Sequence, residues 1–146
     1  MKKLLALIAL LPFAALAAPE ERVVALGGDV TEIVYALGAQ PSLVARDSTS
    51  QWPVAATALP DVGYLRQLNA EGILATRPTL VLASAQAQPS LSLNQLEHSN
   101  VWGVTIPASN DLNAIDEKVR VIAEATHREA DGETLRATLR QELATL

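Results

Sequence analysis

Short apolar runs alternate with amphipathic stretches along most of this chain. Val23-Val24-Ala25-Leu26 is continuous apolar sequence ending at Gly27-Gly28, the signature of a strand buried on both faces. Val30, Ile33, Val34 and Leu37 then follow helical spacing. Asp29 is placed as N-cap, Glu32 completes a capping box, and Gly38 stops the helix. Leu43-Val44-Ala45 predicts the next strand. A helix is expected over Asn69 to Thr76, capped by Asn69 and ended before Pro78, and a strand over Leu80 to Ala83. Leu91 to Ser99 predicts a helix, Val101 to Ile106 a strand, and Asp111 to Ala125 and Gly132 to Leu146 two amphipathic helices. The fold class is therefore α/β, a parallel sheet flanked by helices. The closing helix pair breaks the alternation and is expected to connect to a partner element.

Two segments fall outside this pattern. Asp47 to Gly63 is a long polar stretch holding Ser48, Trp52-Pro53 and Pro60-Asp61, and loops of this length are often functional. At the start of the chain, Lys2 and Lys3 precede an apolar run, Leu4 to Leu16, that closes on Ala15-Leu16-Ala17. This reads as a signal peptide over residues 1–17, shorter than the ~20 residues of a comfortable membrane span. The expected domains are a signal peptide (1–17), an α/β lobe (18–128) and a backbone helix (129–146). The expected location is the periplasm.

Charge and composition narrow the function classes. The chain has 11 basic and 16 acidic residues, a net charge of −5, and becomes more acidic once Lys2 and Lys3 are removed. That balance disfavours nucleic acid and anionic lipid as partners. There is no cysteine, which excludes disulfides, thiolate nucleophiles and Cys-based metal centres. His98 and His127 match no zinc spacing and read as solvent-facing. Gly27-Gly28 lacks the rest of a phosphate loop, and no nucleophile–base pair stands out, so an enzyme is not expected.

The candidate chemistry lies in Asp61-Val62-Gly63-Tyr64-Leu65-Arg66-Gln67-Leu68-Asn69-Ala70-Glu71-Gly72. A phenol just after a glycine turn, two residues from a guanidinium, is a donor suited to hard ferric iron. Read without further context, a tyrosine packed on a turn with its hydroxyl in water is the simpler account. Trp52, in the long loop, could stack on a flat aromatic ligand or fold back on the core. Tyr35 is expected at the core or its rim, and Trp102 in the core.

The stretch from Val23 to Gly38 resembles the opening of periplasmic heme-binding proteins of ABC importers. The Asp61–Leu74 stretch is similar to their heme-site segment, and Arg77-Pro78-Thr79-Leu80-Val81-Leu82-Ala83 to a strand entry shared with siderophore- and cobalamin-binding relatives. The resemblance implies a bilobal fold with ferric heme b, the transported ligand, held between two α/β lobes joined by a long helix. It implies Tyr64 as axial ligand to the iron, Arg66 beside the phenolate, and Glu71 as a docking residue for the ABC permease in the inner membrane. Relatives are about twice as long, so the chain is expected to comprise the first lobe and the backbone helix with the second lobe missing, and a homodimer is one expectation. A siderophore or cobalamin is the alternative ligand, and a ligand-free dimerising interaction fragment the alternative class.

Overall fold

The computed structural model describes residues 20–146. The signal-peptide expectation for residues 1–17 lies outside the described residues. Among the described residues, no helix is long and apolar enough to cross a membrane.

Four parallel strands make the central sheet: β1 (Val23–Leu26), β2 (Leu43–Arg46), β5 (Leu80–Ser84) and β6 (Trp102–Ile106), in the order β2-β1-β5-β6. A separate antiparallel ribbon pairs β3 (Gly63–Tyr64) with β4 (Gln67–Leu68). The helices are α1 (Gly28–Ala36), α2 (Ala70–Ala75), α3 (Leu91–Glu97), α4 (Leu112–Ala125) and α5 (Glu129–Leu143).

Two apolar layers sandwich the sheet. Val23, Ala25, Leu80 and Leu82 point into one layer with Val30 and Val34 of α1 and Val119 and Ile122 of α4. Val24, Leu26, Val81 and Ala83 point into the other, with Ile73 of α2 and Leu93 and Leu96 of α3. Period-2 geometry sends alternate residues of a strand to opposite faces. Because both faces are covered, β1 and β5 must be apolar at every position, and all nine of their residues except Ser84 are. Tyr35 is half-buried against the first layer, as expected for a core or rim residue.

Three expectations need correction. Trp102 is 73% exposed. It opens β6, an edge strand, so its side chain lacks the second covering layer that buries β1 and β5. Asp29 is not the N-cap of α1. Gly27, at φ 122°, takes that position, so Asp29 falls inside the first turn. There its Oδ1 accepts the Val30 N–H (2.9 Å) and its Oδ2 accepts from Lys118 (2.7 Å), so no capping box forms. The last helix begins at Glu129, three residues before Gly132, which lies buried against α4.

Candidate functional site

Ligands of open parallel sheets bind outside the carboxyl ends of the strands. Here that edge carries the Gly27-Gly28 turn after β1, the 47–62 loop after β2, the 3-10 turn Ala85–Ala87 after β5, and the β3–β4 ribbon.

The ribbon is held by apolar anchors at every third position. Val62 and Leu65 are buried and Leu68 is half-buried, all in the second apolar layer. These anchors turn Tyr64, Arg66 and Gln67 outward. Tyr64 is 51% exposed. Gly63 is at φ 109°, a region that L side chains rarely adopt, and a Cβ there would stand 3.3 Å from the Gln67 carbonyl oxygen. The glycine before the tyrosine is thus a conformational requirement of the ribbon.

Arg66, at the tip of the ribbon, is exposed like Tyr64 but is tied down. Its Nη1 donates to the Gln86 carbonyl at 3.2 Å, stitching the ribbon to the turn after β5. Trp52 is 64% exposed and its neighbour Val54 66%, so the 47–62 loop carries an apolar surface instead of folding Trp52 back on the core. Glu71 stands exposed in the first turn of α2, where the helix dipole favours an acid. Asn69 caps that helix, its side chain accepting the Gly72 N–H at 3.2 Å. Structure therefore brings Tyr64 and Arg66 together on one ribbon and places Trp52 on the loop bonded to it. Glu71 sits apart, on the helix that follows.

Sequence reasoning missed the residue that holds the loop. Asp47 is fully buried. Its Oδ1 accepts the Gly27 N–H (2.9 Å) and the Ser50 hydroxyl (2.6 Å), and its Oδ2 accepts the Thr49 N–H (3.1 Å) and hydroxyl (2.5 Å). Ser50 in turn meets Thr31 of α1 at 2.7 Å. Four hydrogen bonds satisfy a carboxylate that burial would otherwise penalise. An aspartate in a loop rich in Ser and Thr is ordinary in sequence, so its burial carried no local signal.

A groove of about 440 Å³ opens at the other end of the sheet, lined by Trp102, Val104, Leu80, Val121 and Ala125, with Glu21, Glu124 and His127 at its polar positions. None of Tyr64, Arg66, Trp52 or Glu71 lines it. His127 has 78% of its side chain exposed, and His98 is exposed. Among the described residues, no group of three or more His, Asp or Glu side chains could hold a metal ion.

A family model described as "periplasmic binding protein" matches residues 23–146. The chain belongs to this family. Its members bind ligands, in keeping with the expectation of a non-enzyme. A periplasmic heme binding protein from Pseudomonas aeruginosa superposes with a TM-score of 0.82 at 38% identity, over 86% of this chain and 45% of that one. The periplasmic heme binding protein HutB of Vibrio cholerae gives 0.81 at 35% identity, over 87% and 49%. The vitamin B12-binding protein of Vibrio vulnificus (strain YJ016) is 38% identical over 97 residues, 66% of this chain and 36% of that protein. The chain thus spans less than half the length of each, and what it superposes on is one lobe of the family's fold. Both the expected fold and the expected family resemblance hold.

Proposed function

We propose that this chain is the heme-binding first lobe of a periplasmic binding protein that delivers heme to an ABC permease for uptake. The observation that carries this reading is the outward, half-exposed phenol of Tyr64, fixed on a ribbon at the carboxyl edge of a parallel sheet. Ferric iron is a hard cation and takes an anionic phenolate as axial ligand. Arg66, two residues on in the same ribbon, offers positive charge to that phenolate and a planar fork suited to a heme propionate. Trp52 and Val54 supply apolar surface for the macrocycle. Glu71 presents the lobe to the permease. The names of relatives divide between heme and vitamin B12 at similar identity. Tyr64 favours heme between them, because a phenolate is a donor that ferric heme uses.

The test is a hemin titration of the purified protein against Tyr64→Phe, followed by absorption. Loss of the phenolate-to-iron charge-transfer band with affinity at least about tenfold weaker, roughly 1.4 kcal/mol, is expected. An unchanged spectrum in the phenylalanine variant refutes the assignment, and cobalamin outcompeting hemin in the same cuvette selects the vitamin B12 reading.

A further inference from the structure

We propose that Asp61, acting with Ser48, is a positioning residue for Tyr64: it locks both sides of Gly63 so that the phenol is presented at a fixed angle. This inference rests on the reading of Tyr64 as the iron donor.

The geometry is closed around one residue. Asp61 Oδ1 accepts the Gly63 N–H at 2.9 Å, an Asx turn that bends the chain toward the ribbon. The same oxygen accepts the Ser48 hydroxyl at 2.9 Å. The Ser48 backbone N–H donates to the Gly63 carbonyl at 2.9 Å. Gly63 therefore has its N–H and its C=O each held, by two residues that also bond each other.

The clamp is rooted in the sheet. The Val62 N–H donates to the Arg46 carbonyl (2.9 Å) and the Arg46 N–H to the Pro60 carbonyl (3.0 Å), so Asp61 sits in a short bridge to β2. Arg46 Nη1 faces Asp61 Oδ2 at 3.7 Å with only 12% of its side chain exposed. Ser48 directly follows buried Asp47, whose carboxylate is bonded to the β1–α1 turn. A residue in the left-handed region beside an exposed side chain has few reasons to stay put unless its surroundings dictate it. Here polar contacts hold the backbone of the glycine itself, while buried Val62 and Leu65 pack the residues on either side. A donor that must meet a metal gains from such preorganisation, because a loosely held side chain has to be ordered at the moment of binding.

The experiment separates the clamp from the ligand reading. Amide hydrogen exchange of the ligand-free protein is measured for Asp61→Ala, Asp61→Asn and Ser48→Ala. Hemin titrations follow on the same variants and on Tyr64→Phe. Asp61→Ala is expected to speed exchange at Gly63–Leu65 about tenfold and to weaken the Tyr64-dependent band several-fold. Asp61→Asn keeps an oxygen for both donors and should restore both readouts. Ser48→Ala, which leaves the Asx turn intact, should fall between, and it carries the test if Asp61→Ala does not fold. Unchanged exchange in the alanine variants overturns the clamp. Faster exchange with a wild-type hemin spectrum overturns its positioning role. A Tyr64→Phe spectrum identical to wild type overturns the ligand reading and leaves the exchange result to judge the clamp by itself.

Discussion

Lys118 and Asp29 form an ion pair whose two halves should differ sharply in their cost of removal. Lys118 lies on α4 with 2% of its side chain exposed, while Asp29, in the first turn of α1, keeps 36%. The ammonium bonds Asp29 Oδ2 at 2.7 Å and Asn110 Oδ1 at 2.9 Å, so it fastens α1 and the loop before α4 together. Asp29→Ala leaves the cation buried with one neutral acceptor, the situation in which breaking a buried pair costs about 3–5 kcal/mol. Asn110 and local relaxation put the expectation near the lower end, about 3 kcal/mol. Lys118→Met removes the charge itself, keeps a stem of similar shape, and leaves a carboxylate that water reaches. Its cost should be about 1 kcal/mol, since the charge left behind is solvated and no buried charge stands without a partner. A domain of this size moves roughly 3–5 °C per kcal/mol, so the two melting points should differ by about 8 °C. Thermal and urea unfolding of both variants and of the double variant complete the cycle. Equal losses, or a larger loss for Lys118→Met, would refute the argument that burial of the cation governs the pair.

Further predictions concern the docking of α5 on α4. A Cβ added at Gly132 would meet the Ala123 Cβ at 2.5 Å. Gly132→Ala should therefore destabilise by about 1–2 kcal/mol, overpacking outweighing the roughly 1 kcal/mol that alanine gains in a helix interior. Ala123→Gly in the same chain should recover most of it, and a stabilised single variant in urea unfolding would contradict the close approach. Asp116 accepts from Arg136 (2.7 and 3.0 Å) and Arg140 (3.0 Å) across the same interface. The Arg136 hydrogen bonds hold its carboxyl below the ordinary 3.8. The resulting stabilisation is complete above that ordinary value and fades as pH falls through the lowered folded value. Exchange protection of α5 should drop in acid below about pH 4, and Asp116→Asn should abolish this acid-dependent step. Equal pH profiles for Asp116→Asn and wild type would place the acid sensitivity elsewhere.

Local periodicity alone determined the α/β class, the four sheet strands and the positions of all five helices to within a few residues. It could do so because strands covered on both faces leave an uninterrupted apolar run, and amphipathic helices leave a 3.6-residue one. The turn at Gly63 was legible from the glycine, but the β3–β4 ribbon and the outward side of Tyr64 were not, because they follow from the packing of Val62 and Leu65 against the second apolar layer. Only tertiary structure decided which strand lies at the edge. The order β2-β1-β5-β6 leaves β6 covered on fewer sides, and so Trp102, apolar and in a strand, faces water. Asp29 and Asp47 were likewise ambiguous in sequence. One reads as a cap and serves instead as counter-ion to a lysine 89 residues away. The other reads as a loop residue and is buried at the root of the Tyr64 loop. Neither role leaves a trace in neighbouring residues, because a carboxylate's partner is fixed by distance in space and periodicity reports only distance along the chain.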